Sequence, residues 1–189
     1  MFSLKRPTSL QIAAALAAAE QEQLAYAGCG GTATGATPAG YRVDDQRLHL
    51  GHGDAVFTAA VEAVDSWVAQ RSVGMTVSPP DRPTEGLTVV QCRRQFPLWV
   101  LLACRVVYRI DEPDRAGFGY GTLSQHPASG EEAFLIERDA AGVVRAHITA
   151  FSRPNHWLTR LGGPVARLVQ KRATRGYLKG IRRAVQTGR

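Results

Sequence analysis

The chain has 189 residues, 44% of them hydrophobic and 21% charged, a size and balance that favour one globular domain and exclude a chain disordered throughout. Its apolar runs are far shorter than the roughly 20 residues that a membrane-spanning helix needs. Cys29, Cys92 and Cys104 are an odd number of cysteines with no Cys-x-x-Cys pair, so neither a disulfide framework nor a zinc ribbon is indicated. We therefore expect three free thiols, no metal, no cofactor and a cytoplasmic protein.

The net charge of +7 is distributed unevenly along the chain. All 16 acidic residues lie at or before Asp139, whereas residues 140–189 hold 11 basic residues and no acid. The basic end is interpreted either as a solvated helix face or as a contact with an anionic membrane or nucleic acid. No nucleic-acid-binding motif accompanies the charge, so no specific nucleic acid is predicted as a partner.

Residues 1–40 are predicted to form an N-terminal helical appendage. An alanine-rich stretch imitates a secretory signal, but acidic residues follow it directly and Thr8 or Ser9 would cap an ordinary helix. Residues 28–35 have the composition of a flexible connector. A loose dinucleotide-binding pattern in this connector lacks the preceding strand that the motif requires. We predict a helix with a connector over 1–40 and a single α+β domain over 41–189.

The main domain is predicted to open with a strand over 41–50 and a helix that Asp54 caps. This helix has an apolar stripe at spacings of three and four, typical of a core-facing helix: Val56, Phe57, Ala60, Val61, Val64, Trp67 and Val68. Six strand-like segments separated by turn residues follow, over 73–77, 87–93, 98–110, 117–123, 133–138 and 143–151. Consecutive strands joined by short turns imply an antiparallel sheet.

The chain closes with an amphipathic helix predicted from about His156 to Val185. Apolar residues keep an approximate 3.6-residue period in it, and arginines and lysines fill much of the remaining surface. Gly162-Gly-Pro164 is expected to kink or restart this helix, because proline is tolerated in a first turn and not in an interior. The predicted fold class is α+β, a curved antiparallel sheet packed on a long C-terminal helix.

Several uncommon motifs occur in a fixed order from Arg105 onward: Arg105-Val-Val-Tyr108, Gly117-Phe-Gly-Tyr-Gly-Thr-Leu123, His126-Pro127, Gly130-Glu-Glu132 and Ala150-Phe-Ser-Arg-Pro154. Together they resemble the bacterial and plant family known as domain of unknown function nineteen-ninety, over about residues 24–183. The resemblance implies no activity. Its element order is similar to the helix-grip arrangement of START-like domains, which implies a sheet that wraps the long helix and leaves an apolar cavity.

The strand over 117–123 alternates glycine with larger side chains. Gly117, Gly119 and Gly121 share one face, whose bare backbone invites close approach by another element. Packing of the long helix on this face is the favoured interpretation, and a ligand lying on it is the alternative.

Ionisable side chains are concentrated in the predicted loop over 124–132. His126 could exchange protons there with Glu131 or Glu132, although a polar turn explains the same residues. Arg105 is a charge within an apolar strand and needs acceptors if it is buried. Glu132 or Glu137 is a candidate ion-pair partner for Arg105, and an anionic ligand group is the alternative.

We expect the polar side chains that enter the apolar layer to converge at one mouth of the cavity, because buried polar groups must find partners. The leading prediction is non-catalytic binding of a small apolar or amphipathic molecule. Two alternatives remain: an enzyme that uses His126 with Glu131 or Glu132, and a basic-helix interaction module. No catalytic residue is assigned, and the predicted ligand-binding residues are Arg105, Tyr120, Thr122, His126, Glu132 and Arg153.

Overall fold

The structure is a computed structural model that describes residues 2–95, 97–155 and 163–188, apart from the side chains of residues 2 and 163–170. The elements in chain order are β1 (Phe2–Ser3), α1 (Ser9–Glu20), α2 (Gly31–Thr34), β2 (Arg42–His52), α3 (Asp54–Asp65), α4 (Val68–Ser72), β3 (Met75–Ser78), β4 (Thr88–Gln95), β5 (Leu98–Glu112), β6 (Arg115–Thr122), β7 (Ala128–Arg138), β8 (Val143–Pro154) and α5 (Gly163–Thr187). The start predicted for the closing helix, at His156, lies outside the described residues.

Seven strands form one antiparallel sheet in the order β2-β8-β7-β6-β5-β4-β3. The two residues of β1 pair with β5 at Val100 and Trp99. Every strand from β4 to β8 is hydrogen-bonded to its predecessor in the chain, as expected for an antiparallel sheet built from consecutive strands. The predicted α+β class, with a curved antiparallel sheet and a long C-terminal helix, is confirmed.

The helices α3, α4 and α5 cover one face of the sheet, called the inner face below. Its core is built from side chains that alternate along the strands and meet the apolar stripes of the helices. Trp67 is fully buried there and packs edge-to-face on Phe118. A left-handed backbone at Trp67, with φ of 58°, ends α3 one turn earlier than its apolar stripe predicts. Gly53 rather than Asp54 is the N-cap of α3.

The opposite, outer face of the sheet is covered by α1 and by the chain that follows it. Thr8 caps α1 through a capping box with Gln11, which confirms the predicted helix start. A small apolar cluster joins α1 to β4 and β5, and Cys92 belongs to it. Cys104 belongs instead to the inner-face core. The sheet therefore separates these two thiols, and they cannot form a disulfide.

The glycines of β6 face outward, and two tyrosine rings pack on them. A Cβ atom at Gly119 would overlap with the Tyr108 ring, and one at Gly121 with the Tyr26 hydroxyl. The long helix lies on the opposite, inner face of the sheet, so the prediction that it packs on the glycines is wrong. A register shift between Val106 and Tyr108 turns Tyr108 to the outer face, where its ring covers Gly119.

Candidate functional site

The strand β7 begins five residues earlier than predicted and brings two glutamates into the sheet. Ala128–Arg138 pairs with β6 on one side and with β8 on the other, so Glu131 and Glu132 lie in a strand rather than in a loop. Successive side chains of a strand point to opposite faces. Glu131 faces outward and Glu132 inward, and the two carboxyl groups therefore serve different parts of the molecule.

Glu131 anchors the segment that the sequence presents as a flexible connector. Its Oε2 atom accepts hydrogen bonds from the Tyr26 hydroxyl at 2.6 Å and from the Gly30 N–H at 2.8 Å. Its Oε1 atom accepts from the Thr32 N–H at 2.8 Å and from the Thr32 hydroxyl. This carboxylate is buried with all its contacts satisfied, so Glu131 has a structural role and residues 26–34 are fixed to the sheet.

Glu132 forms a hydrogen-bonded pair with Tyr120 on the inner face. The Tyr120 hydroxyl donates to Oε2 of Glu132 at 2.8 Å across the β6–β7 register. Burial raises the pKa of the Glu132 carboxyl to about 7, and the nearby Asp44 carboxylate adds to the rise. Burial also raises the pKa of Tyr120 well above its ordinary value. The pair therefore holds a carboxyl group that gains or loses its proton near neutral pH.

Further polar side chains extend from this pair across the inner face. On the β2 side, Oδ2 of Asp44 accepts a hydrogen bond from the Thr174 hydroxyl of α5 at 3.2 Å. On the β4 side, Gln91 lies beside Tyr120 and is buried. We call Asp44, Gln91, Arg93, Tyr120, Glu132, Thr174 and Tyr177 the polar band.

Arg93 and Tyr177 complete the β4 end of the polar band. The Tyr177 hydroxyl contacts Sδ of Met75 at 3.8 Å, and Arg93 is the β-sheet partner of Met75. The charge of Arg93 opposes the rise that burial produces in the pKa of Tyr177, so the two side chains are close. The Nε2 atom of Gln91 and the Nε atom of Arg93 are buried without an acceptor in the described part of the chain.

Among the predicted site residues, Thr122 and His126 have backbone partners. The Thr122 hydroxyl lies 3.0 Å from the Gly130 N–H and 3.2 Å from the Gly130 carbonyl. Nδ1 of His126 accepts from the Ala128 N–H at 3.0 Å. Burial lowers the pKa of His126 to about 4, so its ring is neutral at physiological pH. No hydrogen bond within the described ranges joins His126 to Glu131 or Glu132.

Arg105 lies on the outer face and stabilises the end of α1. Its Nη2 atom donates to the carbonyls of Ala19 and Glu20, each at 3.1 Å, and Nη1 donates to the Glu22 carbonyl at 3.1 Å. Its Nε atom donates to the Thr88 hydroxyl at 3.0 Å. A guanidinium at a helix C-terminus satisfies carbonyls that lack partners and opposes the negative end of the helix dipole. The prediction that Arg105 forms an ion pair with Glu132 or Glu137 is therefore wrong.

Arg153 also lies away from the polar band. Its guanidinium stacks 4.6 Å from the centre of the Tyr41 ring, and Tyr41 packs edge-to-face on Phe151 on the outer face. The structure thus brings Tyr120 and Glu132 together, with Thr122 beside them on the same strand face. It does not bring Arg105 or Arg153 to them.

Sequence reasoning missed the polar band apart from Tyr120 and Glu132. A usable signal exists in β4, where period-two alternation places Val89, Gln91 and Arg93 on one face. Val89 is fully buried, so this face of β4 belongs to the core, and polar side chains on it require hydrogen-bond partners. Asp44, Thr174 and Tyr177 join them only through the pairing of β2 with β8 and the placement of α5.

The chain matches an established protein family along most of its length. Residues 25–180 match the family described as a domain of unknown function, DUF1990. A UPF0548 protein of Deinococcus radiodurans is 38% identical over 198 residues, covering 97% of this chain and 98% of its own. One of Arabidopsis thaliana is 34% identical over 146 residues, covering 72% and 69%. The chain belongs to this family.

Solved structures share the fold at low sequence identity. The crystal structure of Ara h 8.0201 aligns with a TM-score of 0.55 and 16% identity, covering 78% of this chain and 99% of that one. The di-domain ARO/CYC protein StfQ from the steffimycin biosynthetic pathway aligns with a TM-score of 0.52 and 11% identity, covering 78% and 51%. The fold is therefore the helix-grip arrangement. No helix in the described ranges combines the length and the apolar character needed to span a membrane.

Proposed function

We propose that this protein binds a small amphipathic molecule between the inner face of the sheet and α5, without catalysing a reaction on it. The observation that carries the proposal is the Tyr120–Glu132 pair, a hydrogen-bonded polar group within an otherwise apolar layer. Ligand sites are mostly apolar with a few placed polar anchors. The pair supplies such an anchor, because a protonated or ionised carboxyl binds a hydroxyl group in either state.

The surroundings of the pair support this role. Leu102 and Glu132 keep part of their surface accessible although helices pack on the inner face. Phe134 packs against both Tyr120 and Tyr177, with ring centres 5.5 Å and 5.4 Å apart, and forms an apolar wall beside the carboxyl group. A molecule with an apolar body and a hydroxyl group matches this combination of aromatic wall and polar anchor.

Comparison with related folds points in the same direction. StfQ, a di-domain ARO/CYC protein from the steffimycin biosynthetic pathway, has the same fold. Shared fold alone does not transfer an activity, so it supports a small-molecule site and not a reaction. The enzyme alternative requires His126 to exchange a proton with Glu131 or Glu132. His126 bonds instead to the Ala128 backbone, and Glu131 bonds to Tyr26, Gly30 and Thr32, which argues against this alternative.

The basic-helix alternative stays a prediction. Six basic residues of α5 are exposed along one side of the helix: Lys171, Arg172, Arg175, Lys179, Arg182 and Arg183. In the described part of the chain, the salt bridges include none from α5. Solvated arginines and lysines are equally compatible with a helix that binds nothing.

A displacement titration tests the proposal. The neutral fluorophore N-phenyl-1-naphthylamine is first bound to the protein and then displaced with dodecanol, which has an apolar chain and one hydroxyl group. Tyr120→Phe and Glu132→Gln should each weaken displacement roughly fivefold, because one hydrogen bond contributes about 1 kcal/mol.

Tyr41→Phe is the matched control for Tyr120→Phe, since Tyr41 lies on the outer face and bonds to Ser129 at 2.8 Å. Its titration should equal that of the wild type. If the fluorophore does not bind with a stoichiometry near one, or if all three variants behave alike, the proposed site is wrong.

A further inference from the structure

Two nitrogen donors on the inner face of β4 lack acceptors. Gln91 is 2% exposed, and its Nε2 atom has no hydrogen-bond partner within the described residues. Two residues further along the same strand face, the Nε atom of Arg93 is also buried without an acceptor. Native proteins leave few buried polar atoms unpaired, because each costs about 1–3 kcal/mol. Two such donors on one strand face suggest a missing acceptor.

The Tyr120 hydroxyl lies beside Gln91 and donates to Glu132, but the Nε2 atom of Gln91 makes no hydrogen bond within the described residues. Met75 is the strand partner of Arg93, and its sulfur atom already accepts a hydrogen bond from the Tyr177 hydroxyl. On the other side of Arg93, Val100 of β5 is apolar. The backbone of Glu132 lies three strands away in β7, roughly 14 Å at ordinary strand spacing, and its carboxyl group accepts from Tyr120. The described neighbours of Arg93 thus offer no carboxylate.

The two donors define a chemical preference. A guanidinium N–H and an amide N–H both donate, and the guanidinium is always charged. Arg93 is half-buried, with its Nε atom inaccessible to solvent. An anionic oxygen accepts from both donors and pairs with the guanidinium charge, whereas a hydroxyl group accepts the hydrogen bonds without pairing the charge. The Tyr120–Glu132 pair has no such preference for an anion.

We propose that the ligand carries a carboxylate or a similarly acidic oxygen that binds Gln91 and Arg93, with its apolar body extending along the inner face toward Phe134. This inference rests on the proposed function, since it specifies the ligand of the same site. It specifies that the ligand has an acidic end and that Arg93 distinguishes an anionic ligand from a neutral one.

The test compares dodecanoate with dodecanol as competitors of N-phenyl-1-naphthylamine at pH 6.0. The two competitors share one chain length and differ in the charge of the head group. A charge-assisted hydrogen bond is worth about 1.5–3 kcal/mol, so dodecanoate should bind the wild type at least tenfold more tightly than dodecanol. Arg93→Met should remove this difference, Arg93→Lys should keep most of it, and Gln91→Leu should reduce it severalfold.

Arg94→Met is the matched control, because Arg94 follows Arg93 in β4 and its side chain lies on the opposite strand face. It should leave the preference for dodecanoate unchanged. Binding of the neutral fluorophore reports whether each variant is folded. Equal affinity of the wild type for dodecanoate and dodecanol overturns the acidic-ligand inference while leaving the proposed function intact. Failure of the fluorophore and both competitors to bind overturns the proposed function itself.

Discussion

Replacing Glu132 with glutamine should change how the stability of the protein depends on pH. Between pH 4.5 and about 7 the native protein holds a proton on Glu132 that the unfolded chain releases, because the carboxyl pKa is 4.5 in its ordinary state and about 7 when folded. The stabilising contribution of this proton is complete below pH 4.5 and is lost as the pH rises through 7. The unfolding free energy of the wild type is therefore lower at pH 8 than at pH 5 for this reason, whereas Glu132→Gln lacks this pH dependence.

The size of the effect follows from the difference between the two pKa values. One pKa unit corresponds to 1.36 kcal/mol, so the shift of Glu132 has an upper limit of about 3 kcal/mol. Glu132 is half-buried and keeps part of its hydration, which reduces the expected value to about 2 kcal/mol. The glutamine amide retains an oxygen for the Tyr120 hydroxyl, so the variant should lose little stability at pH 5.

The assay is urea denaturation of wild type and Glu132→Gln at pH 5 and pH 8. The groups that face Glu132 are Tyr120 from β6, Asp44 from β2, Cys104 from β5 and Tyr177 from α5. Their contributions, and those of the histidines, are common to both proteins and cancel in the difference. Glu132→Gln should gain about 2 kcal/mol over the wild type between pH 5 and pH 8. An identical difference at both pH values would refute the buried, proton-holding carboxyl group.

Three further predictions concern the outer face and the thiols. Arg105→Leu should lower the unfolding free energy by about 2 kcal/mol in urea denaturation without affecting dodecanol binding; a loss of binding at unchanged stability would contradict its role at the end of α1. Glu131→Gln should release residues 26–34, so limited proteolysis should cut there faster than in the wild type, and equal rates would argue against the anchor. Thiol titration should find one fast-reacting cysteine in the native protein, the exposed Cys29, and all three after denaturation; recovery of a single thiol after denaturation would mean that Cys92 and Cys104 are paired.

Hydrophobic periodicity predicts the order of the seven long strands, of α3 and of the closing helix, because the strands alternate and the helices bury stripes at a 3.6-residue period. It does not predict the short elements β1, α2 and α4. It failed where one residue shifts the alternation. The bulge after Val106 places Arg105 on the outer face and Arg109 on the inner side, where Arg109 binds Asp65 at the end of α3 at 2.8 Å. Strict alternation assigns both arginines to one face.

The candidate site was only partly predictable for a different reason. Turn-forming residues such as Pro127 and Gly130 suggest a loop, yet pairing with β6 and β8 makes the same residues a strand. Which glutamate faces inward depends on that pairing, and so does the meeting of Tyr120 with Glu132. The division of the chain at residue 40 and the cytoplasmic location stay predictions.

Native mass spectrometry of the purified protein tests the central claim, a small-molecule site on the inner face, most directly. We expect the wild type and Tyr41→Phe to carry a noncovalent mass that is released on denaturation. Tyr120→Phe and Arg93→Met should carry it at clearly lower occupancy. A bare chain in the wild type, or equal occupancy in all four proteins, would contradict binding at the polar band.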